Sequence, residues 1–128
     1  MTGSAYDPLQ PAKRPDTRPS TAPRYRVLVH KSFKRHYEEL ISRVGLQQAQ
    51  QFWDHLATTP GEQSAVANVT ILKGKAGRPQ GDGWSRTHHY ELTSKARADY
   101  QYNNNFTTSP NGDPHPVVAI LTISFGSH

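Results

Sequence analysis

The chain has 128 residues, 15 Lys+Arg against 10 Asp+Glu, a formal charge of +5 and seven histidines that can add to it below neutrality. That length allows one hydrophobic core and excludes two independent ones, and the basic excess points to an acidic partner, most often nucleic acid. The absence of cysteine excludes disulfides and thiolate zinc sites, and no apolar run approaches the ~18 residues of a membrane span. With no apolar leader at its start, the sequence predicts a cytoplasmic protein with no membrane partner.

Residues 1–24 carry five prolines, Lys13, Arg14, Arg18 and Arg24, and very little apolar surface. This composition predicts a disordered, Pro-rich basic tail, with the folded domain over residues 25–128. Tyr25–His30 alternates as a strand, with Val27 and Val29 on one face and Leu28 on the other. Ser32 is placed to cap a following helix, in which Phe33, Tyr37, Leu40, Ile41 and Val44 form an apolar stripe. Gly45 suits its C-terminal stop. A second helix over Leu46–Thr58 gathers Leu46, Ala49, Phe52, Trp53 and Leu56 on one side and ends before Pro60-Gly61.

Val66–Lys73 reads as a strand running into GKAGRPQGDG, a loop whose Lys73, Lys75 and Arg78 suit backbone phosphates. It lacks the spacing of a nucleotide-binding P-loop. Trp84–Leu92 and Ala96–Asn103 read as a hairpin turning at Thr93-Ser94-Lys95. A polar loop with turn signals at Asn111-Gly112 follows it. Val117–Phe125 is the most apolar run of the chain and predicts a central strand. The whole is an α+β protein: an antiparallel sheet of about four to five strands with an N-terminal αα-hairpin packed on one face.

Strand alternation then divides the side chains. Trp84, Arg86, His88, Tyr90 and Leu92 form the more apolar set of their strand, with Ala98, Tyr100 and Tyr102 in the next. Ala119, Leu121, Ile123 and Phe125 form the inward set of the last. The opposite face gathers His89, Glu91, Arg97 and His128. That inventory suits a phosphodiester: Arg binds phosphate oxygens, and His and Glu serve as acid and base near neutral pH. RNA supplies its own 2′-OH nucleophile, so neither a metal nor a cofactor is required. A metal site built on His88-His89 is disfavoured, because adjacent strand residues point to opposite faces.

Four stretches carry a family resemblance. Ile71-Leu72-Lys73-Gly74 is similar to an "LKG" motif, Trp84-Ser85-Arg86 to "WSR", Arg97-Ala98-Asp99-Tyr100 to "RxxY", and Ile123–His128 to a closing "ISxGxR". In this order they resemble the RelE/ParE toxin superfamily of bacterial type II toxin–antitoxin systems, across residues 25–128. The resemblance implies an mRNA endoribonuclease acting on the ribosome and neutralised by an antitoxin protein. It makes Arg97 the phosphate-binding arginine and His128 the general acid; the basic residues Lys73, Lys75, Arg78 and Arg86 are expected to help hold the phosphate. Thr70 stands where related toxins carry a general-base Glu, and their tyrosine near the C-terminus has no counterpart here. One register places His88 and Tyr90 at the family's catalytic lysines, whereas alternation selects His89 and Glu91. A member that inhibits DNA gyrase by binding alone, and a plain RNA-binding module, are the competing expectations.

Overall fold

A computed structural model describes residues 9–16, 22–61, 68–81, 83–107 and 114–125. In it the chain is α+β, with six strands and three helices: β1 (Leu9–Pro11), β2 (Arg26–His30), α1 (Lys34–Glu38), α2 (Leu40–Val44), α3 (Leu46–Thr58), β3 (Asn68–Ile71), β4 (His88–Glu91), β5 (Arg97–Phe106) and β6 (His115–Ser124). The strands form one sheet in the order β1-β2-β6-β5-β4-β3. Among the described residues, no helix is long and apolar enough to cross a membrane.

The expected antiparallel sheet of four to five strands is corrected to a mixed sheet of six. Strands β3 to β6 form an antiparallel meander, but β2 pairs with β6 in parallel. A parallel pair needs a long crossover, and here the helices and three strands lie between its two members. The sixth strand comes from the segment expected to be a disordered tail. Leu9–Pro11 pairs antiparallel with Leu28–His30, and Leu9 and Ala12 are buried. Pro11 is tolerated because β1 is an edge strand, where a missing N–H breaks no inner ladder.

What fixes this strap is a set of partners distant in sequence. Trp53 Nε1 donates to the Ala12 carbonyl at 2.8 Å, and Gln50 Nε2 to that of Pro15 at 3.0 Å. Lys34 Nζ donates to the Pro11 carbonyl at 2.8 Å, and the Tyr37 hydroxyl to that of Lys13. Arg14 grips Asp54 with both Nε (2.7 Å) and Nη2 (2.9 Å).

The helices pack on one sheet face, as the apolar stripes predict. Tyr37, Leu40, Ala49, Phe52, Trp53, Leu56 and Ala57 meet Val27, Val29, Val69, Tyr90, Ala98, Tyr100, Val118 and Ile120 in a single cluster. The expected first helix is broken at Glu39 (φ −91°, ψ 1°) into α1 and α2 after a short 3-10 turn over Lys31–Phe33. The break shifts the stripe, so Leu40 is buried while Ile41 is 44% exposed. The cap also differs: His30, not Ser32, closes the turn, its Nδ1 accepting from the Ser32 N–H at 3.1 Å. Gly45 ends α2 at φ +90°, a backbone region that favours glycine.

Strand β6 departs from simple alternation. Asp99 pairs with Thr122 but Tyr100 pairs with Ile120, so Leu121 is the extra residue of a β-bulge. Before the bulge Val118 and Ile120 face the helices; beyond it Ile123 does. This corrects the expected inward set: Ala119 and Leu121 belong to a second cluster on the opposite face, with Leu9, Leu28 and Val117. Beyond the bulge, Thr122 and Ser124 stand opposite Asp99 and Arg97, on the polar part of that outer face.

Candidate active site

Two neighbouring cross-strand rows build the outer face at the β4–β5 hairpin end. Register places Thr70, His89, Asp99 and Thr122 side by side on four adjacent strands. The next row toward the hairpin runs Glu91, Arg97, Ser124. Because residues two apart on a strand share a face, both rows project together, away from the helices.

Within them His89 Nδ1 lies 2.6 Å from Asp99 Oδ1, both side chains being about a quarter exposed. A carboxylate only accepts, so Nδ1 carries the proton and Nε2 presents its lone pair outward. The imidazole is thereby held in one tautomer and one orientation by a cross-strand neighbour on rigid backbone. Arg97 is exposed, and among the described residues its guanidinium has no ion-pair partner, leaving its fork of donors available to an anion. Glu91 stands directly across from it, half-buried. Asp99 is a residue of this face to which sequence reasoning gave no role. The signal was present in the pairing of a histidine and an aspartate on facing hairpin strands, but the register that aligns them was not readable from either strand alone.

His88 and Tyr90 point the other way and are core residues. His88 is 3% exposed; its Nδ1 donates to the Arg86 carbonyl at 2.9 Å, and its ring stacks on Tyr100 at 5.3 Å. Burial lowers its pKa. Tyr90 is 4% exposed and meets Phe52 edge-on at 4.8 Å, and burial pushes its hydroxyl up to about 12. Neither reaches the outer face, which overturns the register that would make them catalytic.

The loop between β3 and β4 is pinned rather than loose where it is described. Gln101, 1% exposed, donates from Nε2 to the Arg78 carbonyl (2.8 Å) and meets Thr87 Oγ1 (2.9 Å), while its Oε1 accepts from the Gln80 N–H (2.9 Å). Arg86 is used the same way: Nε donates to the Leu72 carbonyl at 3.0 Å and Nη2 to that of Gly74 at 2.9 Å. The clasp leaves no room at Gly77, where a Cβ would sit 2.0 Å from the Leu72 oxygen. Arg86, expected to help hold a phosphate, is thus committed through Nε and Nη2 to clasping the loop. Lys73, Lys75 and Arg78 are exposed on this loop and keep their side chains outward. His128, expected to close the site as general acid, lies outside the described residues.

Among the described residues, no group of three or more His, Cys, Asp or Glu is placed to hold a metal ion. The described groups of the face are an oriented imidazole, carboxylates and an exposed guanidinium. Comparisons with protein-family models, with curated proteins and with solved structures return no match to this chain.

Proposed function

We propose that the protein is an endoribonuclease that cuts mRNA without a metal, acting as the toxin of a toxin–antitoxin pair with a RelE-like fold. The observation that carries the reading is the 2.6 Å His89–Asp99 pair standing one row from Arg97 on an open sheet face. Arg97 holds the non-bridging oxygens of the scissile phosphate. His89 Nε2 takes the proton of the adjacent 2′-OH, the 2′-oxygen bonds to phosphorus, and the P–O5′ bond breaks. The products are a 2′,3′-cyclic phosphate and a 5′-hydroxyl. Asp99 keeps the imidazole in the basic tautomer and stabilises the imidazolium that forms. The proton for the leaving 5′-oxygen comes from His128 on the strength of the family resemblance, with Glu91 on the same face as the chain's other proton carrier.

The basic charge of +5 and the exposed Lys73, Lys75 and Arg78 support a polyanionic substrate. The ribosome as the setting, and an antitoxin as the partner, rest on the motif resemblance alone. The test is incubation of the purified protein with translating ribosomes and chelator. New mRNA ends bearing cyclic phosphate, formed equally with and without chelator, are expected. Accumulation of cleaved DNA–gyrase complexes with intact mRNA would replace this reading with the gyrase-inhibitor one.

A further inference from the structure

The last turn of the β3–β4 loop lies against the same outer face as His89 and Asp99. On the side away from the hairpin, the cross-strand pair next to His89–Asp99 is Thr87 with Gln101, joined at 2.9 Å. Gln101 stands opposite Ala119, which belongs to the outer cluster, so it shares the face of Asp99. Residues two apart on a strand are about 6.6 Å from each other. Arg97 and Gln101 therefore flank Asp99 on β5, one step to either side.

Gln101 is buried, and its amide is spent on the loop. Nε2 donates to the Arg78 carbonyl and to Thr87 Oγ1, and Oε1 accepts from the Gln80 N–H. A carbonyl only accepts and an N–H only donates, so the amide fits this slot in one orientation. A buried carboxamide is costly unless its groups are paired, and here the partners are backbone on both sides of Pro79. The proline ring fixes its own φ and favours an extended residue before it, as found for Arg78 (φ −57°, ψ 126°). The start of the loop is held separately, by Arg86 on Leu72 and Gly74 and by the Thr87 N–H on the Gly77 carbonyl at 3.0 Å. What the Gln101 clasp holds in place is Arg78, which is exposed and, among the described residues, in no ion pair. Its backbone rests on the row next to the imidazole.

We propose that Gln101 is a positioning residue: it fixes residues 77–80 as a wall of the site, so that Arg78 binds the substrate phosphate next to the one held by Arg97. The proposal rests on the outer face being an RNA site and deepens that reading. His89 then works between two guanidiniums, and the substrate is laid along β5 instead of across the sheet. Because both contacts are to backbone, they set the strand's position without reading sequence.

The experiment measures binding of a fluorescent single-stranded 2′-O-methyl RNA, which has no free 2′-OH to attack, to the full-length protein across a salt series. Arg78→Gln removes the charge. Gln101→Met keeps a side chain of similar size and removes the clasp. Gly77→Ala displaces the same span from its other anchor, because the added Cβ would meet the Leu72 oxygen at 2.0 Å. Arg78→Gln should make the slope of log K against log salt shallower by about 0.7, the value of one single-strand phosphate contact. Gln101→Met and Gly77→Ala should lose as much although both retain Arg78. The Gln101→Met/Arg78→Gln double variant should lose no more than Arg78→Gln alone. Circular dichroism checks the fold of each variant, and Gly77→Ala carries the comparison where Gln101→Met does not fold. A wild-type slope in Arg78→Gln overturns the second phosphate contact, even if the protein cuts mRNA on expression. A wild-type slope in a folded Gln101→Met or Gly77→Ala, or losses that add in the double variant, overturns the positioning role. An Arg78-dependent slope from a protein that cuts no mRNA overturns the nuclease reading and keeps the contact. Failure of wild type to bind the RNA at low salt overturns both.

Discussion

At the scale of single residues, two neighbours on one strand do opposite things. His89 faces out onto Asp99 and His88 faces in onto Tyr100. Replacing His89 with Ala removes the imidazole that Asp99 orients, and cleavage should fall by roughly 10²–10⁴-fold, the usual worth of a general base. Asp99→Asn should cost at least ~10-fold, because an amide can favour the wrong tautomer and does not stabilise imidazolium. Single-turnover cleavage of ribosome-bound mRNA measures both. Tyr90→Phe, by contrast, should leave the cleavage rate within about 3-fold of wild type, since the hydroxyl is buried on the helix side. A loss comparable with that of His89→Ala would reinstate the rejected register. Alternation was enough to separate His89 and Glu91 from His88 and Tyr90. It was not enough to find the His89–Asp99 pair, because register depends on how tightly the hairpin turns.

Between elements, a buried polar chain ties the end of α3 to β5. The Tyr100 hydroxyl donates to the Pro60 carbonyl at 2.6 Å, so it can only accept from His55 Nε2 at 3.1 Å. His55 Nδ1 is then the acceptor for the Thr59 hydroxyl at 3.3 Å. Every member is satisfied only while His55 is neutral, and burial, assisted by the nearby His88, lowers its pKa to about 4 from 6.5. The folded state therefore refuses a proton that the unfolded chain accepts between those values. Stability should be flat above pH 7, fall as the pH drops from about 6.5 to about 4, and level off below. The ceiling for this one group is about 3 kcal/mol, and His88 acts with the same sign. Denaturant melts across this range check it, with His55→Gln expected to flatten much of the slope.

The strap over residues 9–16 belongs to the same scale. Its apolar content is Leu9 and Ala12 alone, which is why composition reads it as tail. Its partners Trp53, Asp54 and Gln50 lie about 40 residues away and become available only once α3 is formed. Deletion of residues 1–16 should lower stability by about 2 kcal/mol, from the lost burial of Leu9 and the bidentate Arg14–Asp54 pair, as read by thermal melting.

For the whole molecule, periodicity located the helix pair, the central position of β6 and the side of the sheet that the helices cover. It could not locate the parallel pairing of β2 with β6, because nothing local distinguishes a parallel neighbour from an antiparallel one. Nor could it see the bulge at Leu121, which turns Val118 and Ile120 toward the helices and Ala119 and Leu121 away from them. The outer face is consequently divided in two. Leu9, Leu28, Val117 and Ala119 make a small apolar core at one end, while the hairpin end remains polar and open.

On the proposed function, this open end of the sheet cuts RNA. The most direct measurement expresses the full chain, and the His89→Ala/Arg97→Ala variant at equal level, in bacteria and maps mRNA 5′ ends across the transcriptome. The predicted result is growth arrest with new 5′-hydroxyl ends from the unaltered chain and neither from the variant. Growth arrest of equal depth from both, with no new ends in either, would contradict it.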